Sequence, residues 1–142
     1  TGNRWRNLMA VAPVGPDGEV EVIDVQPPHI GGIVQYFRFD GDGRLERVAA
    51  ARSYSTHSIG SRNLDLGIVT DADGDGQLDV LVPPQDLRSL DILTRDESVE
   101  SGVTETFRFD LGDRLTTNVA AASEAGSVRY AVGTADGRIL LW

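Results

Sequence analysis

Four aspartates within nine positions are the residues of this sequence best suited to chemistry, and they lie in the stretch 70–80. Hard cations such as Ca²⁺ prefer six to eight oxygen ligands at short range. Three of these aspartates alternate along the chain, so a curled loop can direct their carboxylates towards one point. The four residues are Asp71, Asp73, Asp75 and Asp79. Their pattern predicts a cation-binding loop.

Two neighbouring residues extend the predicted coordination shell. Gly76 permits the sharp bend that closes the loop, and the backbone carbonyl of Gln77 supplies one more oxygen. Carboxylates this close repel one another strongly unless a cation binds. We predict one Ca²⁺ per chain, held by Asp71, Asp73, Asp75, the Gln77 carbonyl and Asp79. The alternatives are an Asp-rich turn without a metal and a site for Mg²⁺ or Mn²⁺.

The residues around the loop exclude an EF-hand. An EF-hand loop requires a Glu at its twelfth position and a helix on each side. The twelfth position here is Val82, and the flanking segments 66–69 and 78–82 are typical of β-strands. A dockerin-type loop is excluded for the same reason, because it also runs into a helix. The loop is therefore predicted to join two strands.

Residues 71–82, Asp-Ala-Asp-Gly-Asp-Gly-Gln-Leu-Asp-Val-Leu-Val, resemble the FG-GAP/VCBS repeat of bacterial, integrin-like β-propellers. The resemblance implies that this loop binds Ca²⁺ through the ligands given above, in a hairpin between two strands of a blade. The Phe-Gly and Gly-Ala-Pro signatures are absent, which favours the looser bacterial VCBS type. Extracellular calcium modules have Kd values of roughly 10⁻⁴–10⁻³ M, so we expect a periplasmic or extracellular location.

Two histidines are the other candidates for chemistry. His29 and His57 each precede a glycine bend, in the sequences His-Ile-Gly-Gly and His-Ser-Ile-Gly. In a shared pocket they would act as metal ligands, or as a general base beside Ser55 or Ser58. The alternative function is therefore a hydrolase or lyase with its site near these histidines. The simpler interpretation is that each histidine hydrogen-bonds to a turn.

The elements that position these residues are predicted to be short β-strands. β-rich runs recur along the chain, and no stretch has a sustained helical period. Asp-Gly pairs at 17–18, 42–43 and 136–137 favour tight hairpins, because glycine accepts a positive φ. The predicted strands are 7–14, 20–25, 33–39, 44–51, 64–70, 78–82, 89–94, 104–110, 114–122, 128–133 and 138–142. The sequence therefore predicts an all-β protein of antiparallel meanders.

Two internal matches indicate a duplication. At a shift of 56 residues, Asp17-Gly18 meets Asp73-Gly74 and Pro27-Pro28 meets Pro83-Pro84. At a shift of 70, the Phe-Arg-Phe-Asp sequence at 37–40 meets the same sequence at 107–110. An insertion in the polar stretch 95–102 would explain the difference of 14. The matches predict blade unit one at 1–61, blade unit two at 62–127, and a third blade or ring-closing strands beginning at 128–142.

A four-stranded meander repeated at this period is typical of a β-propeller blade. We therefore predict a β-propeller segment of about 2.5–3 four-stranded antiparallel blades; a β-sandwich with a duplicated hairpin is the alternative. In unit one the calcium loop is degenerate, because Gly15, Asp17, Glu19 and Ile23 stand at the four aspartate positions. Propellers need four to eight blades to close. The predicted partners are therefore the remaining blades of a longer chain, or further copies that complete a ring.

Composition excludes several classes of function. The formal net charge of −9 argues against nucleic acid as a partner, since phosphate binding requires a basic face. No apolar run is long enough for a membrane-spanning helix. The absence of cysteine excludes disulfides and a cysteine nucleophile. We predict a non-catalytic, calcium-binding segment that serves as a binding or scaffolding surface, with a protein or carbohydrate as its ligand.

Overall fold

The computed structural model describes residues 5–124 and 127–142 of the chain. The regular secondary structure of these residues is entirely β-strand, which confirms the predicted all-β class. The strands are β1 (Asn7–Ala12), β2 (Glu21–Gln26), β3 (Gly32–Phe39), β4 (Leu45–Tyr54), β5 (Ile68–Thr70), β6 (Asp79–Val82), β7 (Ser89–Arg95), β8 (Val103–Asp110), β9 (Ala120–Glu124), β10 (Ser127–Gly133) and β11 (Ile139–Leu141). In this part of the chain, no helix has the length and apolar character needed to cross a membrane.

The strands form three antiparallel sheets, each built from strands consecutive in sequence. The first two sheets have four strands in the orders β1-β2-β3-β4 and β5-β6-β7-β8. The third has three strands in the order β11-β10-β9. Each sheet is therefore a simple meander, because every strand pairs with its neighbour in the chain through a hairpin.

The sheets pack face to face around two hydrophobic cores. Ile23 and Tyr36 of the first sheet share one core with Val80 of the second. The next residue, Leu81, belongs to the other core, where it meets Tyr130 of the third sheet. Successive side chains of a strand point to opposite faces. The second sheet is consequently buried on both faces, and β6 is buried at all four positions.

The structure places the residues of the first internal match at equivalent positions of their sheets, and those of the second match at different positions. The pairs at 17–18 and 73–74 both lie between the first and second strands of their sheets, and the proline pairs at 27–28 and 83–84 both follow the second strands. By contrast, Phe37 lies in a third strand and Phe107 in a fourth, so the match at a shift of 70 joins positions that are not equivalent. A 14-residue insertion at 95–102 is also wrong, because the turn at 96–102 is only two residues longer than its counterpart at 40–44.

The sheet boundaries differ from the predicted units. The boundary predicted between residues 127 and 128 falls inside the third sheet, because β9 pairs with β10. Residues 1–4 of the predicted first unit, and 125 and 126 of the second, lie outside the described residues. Two strands begin several residues later than predicted: β5 begins at Ile68 rather than at residue 64, and β9 at Ala120 rather than at residue 114. Before β5, the Leu66 N–H instead donates to the Thr56 carbonyl outside any strand ladder.

Candidate metal centre

The aspartate loop connects β5 to β6 across residues 71–78. The strands pair as far as Thr70 and Asp79, so the loop begins and ends at a fixed point of the ladder. Gly74 and Gly76 have φ values of 86° and 91°. Side chains rarely adopt this left-handed conformation, so the two glycines allow the chain to curl within a few residues.

Aspartate side chains hold the loop in its curled form. The Asp71 carboxylate accepts hydrogen bonds from the N–H groups of Gly74, at 2.7 Å, and Gly76, at 3.1 Å. The Asp73 carboxylate accepts one from the Asp75 N–H, at 3.1 Å. Asx turns of this kind compensate for the missing ladder hydrogen bonds of a loop. Asp71 and Asp73 thereby acquire fixed positions.

Three of the predicted ligands converge. One carboxylate oxygen from each of Asp71, Asp73 and Asp79 lies within 4.8 Å of the other two. Asp75 does not belong to this group, and its carboxylate accepts a hydrogen bond from the Gln77 N–H at 2.8 Å. The structure thus brings together three side chains of the predicted shell, with Asp75 and Gln77 beside them on the same loop.

Asp79 is the buried member of the group, with 2% of its surface exposed. Its carboxylate accepts hydrogen bonds from the Thr94 hydroxyl, at 2.6 Å, and the Ala72 N–H, at 3.2 Å. Burial raises the pKa of Asp79 from 3.8 to about 6, against the effect of these two bonds, and the charges of Asp73 and Asp75 raise it further. The charged form of Asp79 is therefore poorly stabilised by the protein alone.

The charge of the loop is not balanced by ion pairs within the part of the chain that the structure describes. Among the described residues, none of the ion pairs involves Asp71, Asp73, Asp75 or Asp79. A divalent cation at the point where the three carboxylates converge would supply the missing positive charge. Oxygen-only donors are the ligands that Ca²⁺ and Mg²⁺ prefer.

The corresponding hairpin of the first sheet is built differently. In the loop between β1 and β2, the Glu19 carboxylate accepts a hydrogen bond from the Asp17 N–H at 2.9 Å and pairs with Arg38 at 2.7 Å. The buried Glu21 pairs with both Arg38, at 2.7 Å, and Arg95, at 2.9 Å. The two glutamates of this hairpin are therefore paired with guanidinium groups.

The third sheet contacts the aspartate loop directly. The Tyr130 hydroxyl of β10 donates a hydrogen bond to the Asp71 carbonyl at 3.1 Å. Ala72 packs against the core between the second and third sheets. These contacts tie the loop to the sheet interface. Sequence reasoning did not find Tyr130, because nothing in the local pattern marks a residue 59 positions away as part of the site.

The two histidines lie close together. Their ring centroids are 6.2 Å apart, and the His57 Nδ1 lies 3.2 Å from the Asn63 carbonyl oxygen. The Ser55 hydroxyl donates to two backbone carbonyls, those of Pro28, at 2.7 Å, and His57, at 3.0 Å. Ser55 is thus engaged with the backbone rather than with an imidazole, so the predicted serine–histidine pair does not form at this residue.

Comparison with protein-family models, with curated proteins and with solved structures finds no match to this chain.

Proposed function

We propose that this chain is a non-catalytic, calcium-binding segment of a β-propeller that serves as a binding or scaffolding surface. The observation that carries the proposal is the convergence of the Asp71, Asp73 and Asp79 carboxylates in a glycine-curled hairpin. The Asp75 carboxylate, if its side chain turned away from the Gln77 N–H, and the Gln77 carbonyl would complete an oxygen shell. The resemblance of residues 71–82 to the FG-GAP/VCBS repeat supports Ca²⁺ over Mg²⁺.

The role proposed for calcium is to stabilise the fold. With the Kd of roughly 10⁻⁴–10⁻³ M typical of extracellular modules, calcium at ten times Kd stabilises the native state by about 1.4 kcal/mol. The cation would neutralise the buried Asp79 and hold the ends of β5 and β6 together. Millimolar calcium is a property of extracellular fluids, so this affinity range favours a periplasmic or extracellular setting.

The arrangement of sheets supports the propeller part of the proposal. Meanders of four strands that stack face to face through apolar cores are the building plan of propeller blades. The outer face of the first sheet exposes Leu8 and Val11, and that of the third exposes Ile139 and Leu141. Apolar faces of this kind favour burial against further sheets, from a longer chain or from other copies. A protein or carbohydrate ligand would bind to the completed assembly.

A hydrolase or lyase is the second candidate, because the structure brings His29 and His57 to a centroid separation of 6.2 Å. A general base needs a substrate or nucleophile within hydrogen-bond reach. The Ser55 hydroxyl is directed at backbone carbonyls instead. The non-catalytic proposal is therefore better supported.

The proposal is tested by thermal unfolding in EDTA and in about 10 mM CaCl₂. We expect calcium to raise the Tm by about 4 °C, as a gain of about 1.4 kcal/mol implies for a domain of this size. Asp73→Asn should lose this rise, because the variant lacks the charge that would bind calcium. Its amide oxygen can still accept the hydrogen bond from the Asp75 N–H, so the loop should keep its shape. Asp17→Ala, in the corresponding hairpin of the first sheet, is the matched control and should keep the rise. A calcium effect that is equal in all three proteins, or absent from the wild type, would contradict the proposal.

A further inference from the structure

We propose that a pocket between the two connections that join the sheets binds a small monocarboxylate, an acid with one carboxylate on a compact apolar body. These connections are residues 55–67, from β4 to β5, and residues 111–119, from β8 to β9. The inference goes beyond the calcium-binding role proposed above and does not depend on it. Because the connections lie at the ends of strands, the pocket is separate from the sheet faces on which further blades would stack.

The pocket has a volume of about 300 Å³, which is at the lower end of the range for ligand-binding pockets. One wall is a turn over residues 58–61, closed by a hydrogen bond of 3.0 Å from the Ser61 N–H to the Ser58 carbonyl. The other wall is the segment 114–116. Leu66 and Leu115 are the buried part of the lining, each with 2% of its surface exposed.

Hydrogen bonds to the backbone hold the two walls in place. The Asn63 side-chain amide donates to the Thr116 carbonyl and thereby joins the two connections. The Leu115 N–H donates to the Leu87 carbonyl of the second sheet, at 2.7 Å, and the Thr116 N–H donates to the Gly133 carbonyl of the third, at 2.9 Å. A pocket fixed in this way needs little further ordering when a ligand binds, which favours affinity.

The polar side chains of the pocket can act as donors to a ligand. The Arg114 guanidinium donates to the Ser58 hydroxyl at 3.1 Å, and the Asn63 N–H donates to the Ser61 hydroxyl at 3.0 Å. Each of these hydroxyl oxygens accepts a hydrogen bond, so its own proton can be donated to a ligand. Among the described residues, no carboxylate lines the pocket and Arg114 forms no ion pair. Hydrogen-bond donors around a guanidinium group favour an oxyanion.

The charges and the apolar lining select the kind of oxyanion. One guanidinium group balances one negative charge, and its planar fork matches the two oxygens of a carboxylate. The net charge of −9 disfavours ligands that carry several negative charges. Leu66 and Leu115 offer no side-chain partner to a hydroxyl group, and burial of an unpaired hydroxyl is unfavourable. We therefore expect the body of the ligand to be apolar.

The test is a titration of the full chain with benzoate in EDTA at constant ionic strength, followed by NMR at the amides of residues 58–61 and 114–116. We expect saturable changes in chemical shift with a Kd of about 1 mM, as for a ligand of this size. Benzamide, the uncharged analogue, should bind at least about tenfold more weakly. Glucuronate should also bind at least about tenfold more weakly, because it carries its carboxylate on a hydroxylated ring.

Substitutions of Arg114 test the role of its guanidinium group. Arg114→Gln should weaken benzoate binding at least about tenfold, since hydrogen bonds between charged groups are the strong ones. Arg114→Lys keeps the charge without the planar fork and should recover only part of the affinity. The matched control is Arg44→Gln, which removes the same charge at the opposite end of β4 and should bind benzoate as the wild type does. Because the Arg114 side chain is exposed, both variants at this position should keep the Tm of the wild type.

Three results would overturn the inference. Wild type and Arg114→Gln could bind benzoate equally, or benzamide could bind as tightly as benzoate. Glucuronate or inorganic phosphate could bind as tightly as benzoate or more so, and the pocket would then select a different ligand. The titrations in EDTA do not involve the calcium site. Benzoate binding without any effect of calcium on the Tm would therefore uphold the carboxylate pocket and contradict only the calcium proposal.

Discussion

The β1–β2 and β5–β6 hairpins occupy the same position in neighbouring sheets and carry acidic residues in both, yet they compensate the charge differently. In the first, Arg38 and Arg95 pair with Glu19 and Glu21, so the positive charge comes from the protein. In the second, the carboxylates converge without a basic partner among the described residues, and Asp79 is buried with a raised pKa. The second hairpin therefore has no positive charge from the described residues to balance its carboxylates.

The difference follows from single residues in the two loops. Gly15 stands where Asp71 stands in the second hairpin, and a Cβ at Gly15 would collide with the Glu19 carboxylate. The first loop is held by the Glu19 carboxylate, which accepts a hydrogen bond from the Asp17 N–H. The second is held by the Asp71 carboxylate, which accepts hydrogen bonds from the N–H groups of Gly74 and Gly76. Two hairpins at equivalent positions therefore differ: the first has internal ion pairs, and the carboxylates of the second have no basic partner among the described residues.

The largest expected effect comes from removing the internal cation of the first hairpin. Arg95→Met leaves Glu21, whose side chain is fully buried, with only Arg38 as a charge partner. Breaking a buried ion pair from one side costs about 3 kcal/mol or more, so we expect urea unfolding to show a loss of about 3 kcal/mol. The double variant Glu21→Gln/Arg95→Met should recover most of this loss. A single-variant loss below about 1 kcal/mol would show that the first hairpin does not depend on its arginine.

The reverse effect is expected in the second hairpin. Asp79→Asn removes a charge that burial and the neighbouring aspartates disfavour, so it should stabilise the calcium-free protein by about 3 kcal/mol at pH 7.5. In this variant the side-chain amide oxygen can accept the hydrogen bond from the Ala72 N–H, and the amide nitrogen can donate one to the Thr94 hydroxyl. The Thr94 hydroxyl can then donate to the Thr106 hydroxyl, 3.2 Å away. Urea unfolding in EDTA and in calcium measures both the gain and the expected loss of the calcium response. A variant less stable than wild type in EDTA would contradict the account.

The pH dependence of the second hairpin follows from the same carboxyl. The pKa of Asp79 is about 6 in the folded chain against an ordinary value of 3.8. Because the folded state then binds the proton more tightly, this group makes the calcium-free protein more stable as the pH falls through 6 towards 4. Unfolding in EDTA should show a stability advantage of Asp79→Asn over wild type that shrinks by about 2 kcal/mol between pH 7.5 and 4.5. An advantage independent of pH would assign the stabilisation to another cause.

A substitution at Gly15 tests whether the first hairpin can take up the aspartate that the second one has. Gly15→Asp restores an aspartate at the position of Asp71 but drives its Cβ into the Glu19 carboxylate. We expect a loss of about 1 kcal/mol from steric and charge repulsion, and no added response to calcium. Asp42→Ala, in the turn between β3 and β4, is a surface control for the loss of stability. Calcium-dependent stabilisation of Gly15→Asp beyond that of wild type would show that the arginines do not decide the difference.

The smallest effect is expected from the contact between the loop and the third sheet. Tyr130→Phe removes the hydrogen bond to the Asp71 carbonyl but keeps the aromatic ring in its core. We expect a loss of about 1 kcal/mol and a weaker calcium affinity, because the loop is less firmly held. Calcium titration by calorimetry measures the affinity. Tyr54→Phe, which removes a hydroxyl bound to Glu105 between the first two sheets, should leave the affinity unchanged.

The strands and turns could be predicted from the sequence because their signals are local. Alternating apolar residues, Asp-Gly pairs and the absence of a helical period place eleven strands close to those observed. The position of the aspartate loop, between two paired strands, follows from the same patterns. The exact extents of β5 and β9 did not follow, because backbone contacts such as that of Leu66 with Thr56 replace ladder pairing there.

The long-range features could not be predicted. The pair Glu21–Arg95 joins residues 74 positions apart, and no local pattern connects them. Identical letters at 37–40 and 107–110 suggested equivalence, but the first occurs in a third strand and the second in a fourth. Asp71, Asp73 and Asp79 converge without Asp75 because each carboxylate accepts hydrogen bonds from particular N–H groups of the loop. The spacing of the aspartates does not determine which N–H groups these are.

The comparison of the two hairpins is tested most directly by following backbone amides by NMR during a calcium titration. We predict that the chemical shifts of the amides of residues 71–79, together with that of Tyr130, change with added calcium and reach a plateau at one Ca²⁺ per chain. The chemical shifts of the amides of residues 15–19, where Glu19 pairs with Arg38, should not change. Equal responses in both hairpins, or no saturable response in residues 71–79, would contradict the account.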